Sequence, residues 1–186
     1  MKYEEFIDQD IKHILERNKI NISDFELLNG ELSVDVRKFI DEYTEFKLEE
    51  QPLNRKSGEF NEKENKIIIN ILENETRKRF SIAHELGHAL LGHGTSNRMH
   101  GNRNKQYNVD EIVQEILANA FAASFLMPKK LLEYTKKEVL ADMGIASEEI
   151  VESVKRTVVR KMAEYLNVSM EALRYRMDNV GFKWEE

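Results

Sequence analysis

The chain has 186 residues, 33% charged and 41% hydrophobic, and a net charge of −6. That supports one domain with a real core, and the acidic balance argues against a broad phosphate-binding surface, which needs clustered Lys and Arg. With no cysteine, disulfides and thiolate metal sites are excluded, so any metal must be held by His, Asp or Glu.

The first eight residues carry no apolar signal core and no run approaches membrane-spanning length, so a cytoplasmic protein is expected. Over residues 3–18, Phe6, Ile7, Ile11, Ile14 and Leu15 recur at a helical period and predict an amphipathic helix. His13 lies beside that stripe and reads as a surface or packing residue. A polar link over 21–30 leads to a second short helix at 33–40, with Ser33 as its cap. A first strand is expected at 46–48, ending near Pro52. Residues 58–60 and 66–72 flank the polar turn 62–65 and predict a hairpin. Within it, 67–71 is the most strongly β-branched run of the chain. That run either offers a sheet edge to an extended peptide or is simply core.

Residues 80–93 read Phe-Ser-Ile-Ala-His-Glu-Leu-Gly-His-Ala-Leu-Leu-Gly-His. Ile82, Ala83, Leu86, Gly87, Leu90 and Leu91, with Phe80, sweep out one apolar arc at helical spacing. Ser81, His84, Glu85 and His88 share the other side, with Arg77 one turn earlier, and Gly92 and Gly94 stop the helix. Residues four apart share a helix face, so His84 and His88 can point two imidazoles at one ion. Glu85 lies off that axis, where it serves as general base toward a water rather than as a ligand. Gly87, lacking a side chain, lets another backbone approach. An H-E-x-x-H pattern alone also arises on ordinary polar helix surfaces, so the assignment needs a third ligand.

A Gly- and Asn-rich loop over 94–105 follows. His93, His100 and Tyr107 each carry a donor for an oxyanion, and none has a spacing that singles it out. Asn108 opens the next helix, with Glu111 three residues on in a capping-box relation. It runs to Met127, before Pro128. Ile112, Val113, Ile116, Leu117, Ala120, Phe121 and Phe125 form its expected apolar face, while Glu115, Ala118, Asn119 and Ala122 share a narrower strip on which another helix can pack closely. Glu115 is therefore the preferred third ligand, with Glu111 as rival. Asn119, one turn on, can hydrogen-bond a ligating imidazole.

In residues 79–88 and 115–128 the sequence resembles the ImmA/IrrE family of zinc metallopeptidases. The second block follows an E-x-x-A-N-x-F-A-A-x-L-L-M-P pattern, with Phe125 where Leu is usual. The resemblance implies a mostly helical α+β, zincin-like metallopeptidase domain, with a small β-sheet beside the H-E-x-x-H helix and a helical C-terminal part. It implies one zinc ion per chain held by His84, His88 and Glu115, with Glu85 as catalytic base. It also implies a protein substrate, a helix-turn-helix repressor of mobile-element or stress genes. The histidine often found just beyond the motif is displaced by one residue, to His93, and no role is carried onto it.

Beyond Pro128, helices are expected at 131–141 and 147–166, then a pair meeting at Asn167-Val168 with Ser169 as N-cap and Gly181 past the end. At about 158–182 this pair is helix-turn-helix-like, with Arg174 and Arg176 on the second helix. Packing or substrate docking is one use for it and a DNA contact the other; the acidic balance favours the first. With no repeat, low-complexity tract or linker, residues 1–186 read as a single domain. The readings are a peptidase, a non-catalytic anti-repressor that binds zinc, or a DNA-binding regulator.

Overall fold

A computed structural model describes residues 1–28, 32–94, 109–145 and 151–184. The elements run α1 (Gln9–Arg17), α2 (Val36–Tyr43), β1 (Lys47–Gln51), β2 (Gly58–Asn61), β3 (Lys66–Asn70), α3 (Glu75–Leu91), α4 (Val109–Leu126), α5 (Lys129–Met143), α6 (Glu152–Leu166) and α7 (Met170–Asn179). The chain is mostly helical α+β, with one small sheet. No helix among the described residues is long and apolar enough to cross a membrane.

The expected hairpin forms: β2 pairs antiparallel with β3, and Asn65 closes the turn in the left-handed region at φ 48°. β1 pairs parallel with β3 on its other side, giving the order β1-β3-β2. The 67–71 run is thus the central strand, with both edges paired, and Ile67, Ile68 and Ile69 are buried. It is core, as continuous apolar strands usually are. β2 is an edge strand, and it packs against α3.

Three expectations toward the N-terminus need correction. The helix over 3–18 starts only at Gln9, because Tyr3–Glu5 is a 3-10 turn tied elsewhere. The Tyr3 N–H donates to the Phe25 carbonyl at 2.9 Å and the Tyr3 hydroxyl to the Phe125 carbonyl at 2.7 Å. The supposed polar link is also packed, with Ile22, Phe25 and Leu27 buried. Phe25 sits edge-on to Tyr3, Phe39 and Tyr43 at 5.2–5.6 Å between centroids. Apolar residues that sparse leave no periodicity to read. Likewise the cap of α2 is Asp35, whose carboxylate accepts from the Lys38 N–H at 3.0 Å, while Ser33 is buried before the helix begins.

α4 turns differently from its expected face. Val109, Ile112, Val113, Ile116 and Leu117 are exposed, and Ala118, Phe121, Ala122 and Phe125 are buried. The reason is Gly87 on α3. A Cβ there would stand 3.0 Å from Phe121 Cδ1 and 3.3 Å from Ala118 Cα, so α4 seats its small residues in that gap. Close approach along Ala118 and Ala122 outweighs burial of the larger residues nearer the start of the helix. The Asn108 cap, His100 and Tyr107 lie outside the described residues, as does the expected start of α6 at 147.

The pair α6–α7 meets at Asn167 (φ 51°), and Ser169 caps α7, its hydroxyl accepting from the Ala172 N–H at 3.1 Å. One apolar cluster contains residues of all seven helices together with β2 and β3.

Candidate metal centre

α3 opens on Asn74, whose side chain accepts from the Arg77 N–H at 3.0 Å, and closes on Gly92 at φ 71°. Between these caps His84, Glu85 and His88 are all buried. The two histidines are one turn apart, with their Nε2 atoms 3.0 Å from each other. Glu115 on α4 brings Oε1 to 3.3 Å from His88 Nε2 and Oε2 to 3.5 Å from His84 Nε2. The donor atoms of His84, His88 and Glu115 lie within 4.8 Å of one another. Glu111, the rival carboxylate, is exposed and outside this group.

This set fits a small cation. Lone-pair atoms facing one another repel unless a proton or cation lies between them. Ligands held by a tetrahedral ion at about 2.0–2.1 Å stand about 3.3–3.4 Å apart, and the observed 3.0, 3.3 and 3.5 Å bracket that separation.

Glu85 lies on the β2 side of α3. A Cβ on Gly58, the first residue of β2, would meet Glu85 Cγ at 3.0 Å and Oε1 at 3.2 Å. A side chain at position 58 would occupy the space of the Glu85 carboxylate, and a glycine within the predicted hairpin is the signal by which sequence reading could have found it.

His93, one of three oxyanion-donor candidates that spacing did not single out, is a second residue that the fold brings to the site. Gly92 donates its N–H to the Ala89 carbonyl, and His93 donates to the His88 carbonyl at 3.0 Å. That pattern is a Schellman cap. It folds His93 back so that its Nδ1 lies 3.1 Å from His88 Nδ1, the ring nitrogen turned away from Glu115. Burial pushes the His93 pKa below its ordinary value and His88 adds to this, with Glu115 opposing. The position after a helix-ending glycine was the available signal.

The other candidates scatter. Asn119 is half-buried one turn beyond Glu115. Arg77 pairs with Glu73 at 2.9 Å and donates to the Ser57 hydroxyl at 3.3 Å. His13 is exposed. Arg176 is buried: its Nε donates to the Met127 carbonyl at 3.0 Å, and it pairs with Asp8. It is thereby withdrawn from any DNA contact.

Residues 41–178 match the family described as "IrrE N-terminal-like domain", a peptidase family. The chain is 33% identical over 111 residues to "Radiation response metalloprotease IrrE" of Deinococcus radiodurans, and 30% identical over 110 residues to the protein of that description in Deinococcus deserti. Each alignment covers 58% of this chain but only 32% and 37% of those relatives, so the chain spans about a third of their length. A solved structure titled "Mycobacterium tuberculosis transcriptional regulator" has the same fold, with a TM-score of 0.55 at 11% identity, over 92% of this chain and 47% of that one.

Proposed function

The chain belongs to the peptidase family of IrrE N-terminal-like domains, and from that premise we propose that it is a zinc-dependent endopeptidase whose substrate is a helix-turn-helix repressor. The observation that carries the reading is the convergence of His84, His88 and Glu115, with a buried Glu85 beside them. His84 and His88 would hold zinc through Nε2 and Glu115 through its carboxylate. When bound, zinc supplies Lewis acidity, polarising a carbonyl and bringing the pKa of a water to about 7. Glu85 accepts the proton of the attacking water and returns it to the leaving amine nitrogen. Asn119 is proposed to orient a ligating imidazole. A net charge of −6 suits a basic, DNA-binding substrate.

In this reading the chain is one peptidase domain and α6–α7 is part of it. Arg79 of α3 supports that view: its guanidinium donates to the Asn167 carbonyl at the α6–α7 turn (3.1 Å) and to the Val34 carbonyl (2.9 Å).

The test is Glu85→Gln. Elemental analysis should find one zinc per chain in both forms, while cleavage of a purified repressor falls by about 10²–10⁴ in the variant. Full relief of repression by Glu85→Gln would replace the enzyme with a binding anti-repressor, and wild type without stoichiometric metal would remove the centre itself.

A further inference from the structure

Next to the metal centre, a cavity of about 540 Å³ opens between the first turns of α3, the middle of α4 and the N-terminal half of α7. Its volume is that of a small-ligand site, roughly 300–1,000 Å³. Ser81 on its wall precedes Glu85 by one turn of α3, and Asn119 follows Glu115 by one turn of α4. The cavity therefore continues both faces that carry the candidate site. One helical turn advances about 5.4 Å, and an extended peptide about 3.3 Å per residue. A peptide held at the centre would thus bring a side chain one or two residues away to the cavity.

The walls say which side chain. Phe80, Ala123, Val168, Ala172 and Tyr175 supply apolar surface. Two charges border the space. Arg77 is paired with Glu73, and Glu171 is exposed at the rim. The buried lining residues Ser57, Ser81, Ala123 and Val168 are all uncharged. A charged guest would find no dedicated counter-ion and would lose its hydration, whereas a large apolar one gains from burial. Arg79 holds the Asn167 carbonyl, and the buried Arg176 holds Met127, so α7 is fixed across the gap and the pocket is preformed.

We propose that this cavity is a specificity pocket for a bulky, uncharged side chain of the substrate, and that α7, the second helix of the helix-turn-helix-like pair, is its selecting wall. The proposal rests on the peptidase reading above and assigns the helix-turn-helix-like pair to reading a peptide.

Two measurements test it, on wild type, Ala172→Phe, which fills the pocket, and Tyr175→Ala, a change at a residue 66% exposed that cannot unsettle the core. In the first, a proteome-derived peptide mixture is digested and cut sites are sequenced by mass spectrometry. Wild type should favour Leu, Met or Phe over Gly at one subsite near the cut. Ala172→Phe should reduce that preference by about tenfold or more, and Tyr175→Ala should reduce it in part. In the second, methyl NMR follows titration with N-acetyl-leucinamide and N-acetyl-glycinamide. Only the first should shift Ala123, Val168 and Ala172, and Ala172→Phe should abolish the Ala123 and Val168 shifts. Cleavage without apolar preference, or a preference unchanged in both variants, overturns the pocket and leaves the peptidase standing. Leucinamide binding in a protein that cuts nothing supports the pocket and overturns the peptidase. Neither binding nor cleavage overturns both.

Discussion

His93 reaches His88 only because Gly92, at φ 71°, reverses the chain at the end of α3. A nitrogen 3.1 Å from His88 Nδ1 fixes the orientation of the ring whose other nitrogen faces Glu115. Replacing His93 by Ala should therefore leave the fold intact and weaken metal binding by about 10–100-fold, measured by competition with a chromophoric chelator. An unchanged affinity would mean that His93 is a cap residue and nothing more. His84, His88 and Glu115 could be singled out in the sequence because residue type, four-residue spacing and helix face encode them directly. His84, His88 and Glu115 come together as their spacing and helix faces imply. Gly58 and His93 were not legible in that way. Their importance comes from what lies next to them across a turn or a strand, and spacing along one helix carries no trace of it.

At the scale of elements, α3 and α4 meet through the absence of a side chain. Gly87→Ala gains about 1 kcal/mol of helix propensity. It also places a methyl 3.0 Å from Phe121 and 3.3 Å from the α4 backbone at Ala118, and overpacking of this kind costs about 1–3 kcal/mol. The net expectation is a modest loss of stability with a larger loss of metal affinity, since the shift moves Glu115 away from both imidazoles. Urea unfolding and metal titration together would show it. A variant that binds metal like wild type would show that the helices can separate without disturbing the site. The sequence showed that α4 was helical and where it ended, before Pro128. It pointed to close packing along Ala118 and Ala122, but not to the exposure of Ile112, Val113, Ile116 and Leu117, because those residues also fall at helical period. The 22–28 stretch was missed for the opposite reason: Phe25 is buried by long-range aromatic contacts in a segment with no regular pattern at all.

Across the whole molecule, a cluster of opposite charges joins three elements: Arg37 of α2 and Lys78 of α3 both contact Glu50 of β1, and Lys78 also pairs with Glu75. Burial pushes the Glu50 pKa up, but hydrogen bonds from Arg37 and Lys78 outweigh it and hold the carboxyl below its ordinary value. A folded-state pKa that is lowered gives stability present above the ordinary carboxylate range and lost as pH falls from there through the lowered folded-state value. Wild type should thus exceed Glu50→Gln by up to about 1 kcal/mol at pH 7, a figure kept small because the pair is partly solvated. The gap should begin to narrow below about pH 4. Urea midpoints at pH 7 and pH 3 give the comparison, and equal gaps at both would remove the charge cluster from the account. A larger coupling follows from the ligands' origin: His84 and His88 belong to α3 and Glu115 to α4. An ion between them is a brace as much as a reagent. At a hundredfold excess over its dissociation constant it would add about 2.7 kcal/mol to the folded state. Metal-starved cells would then hold copies that are not merely idle but shorter-lived, because the unbraced form visits its unfolded state more often and meets housekeeping proteases there.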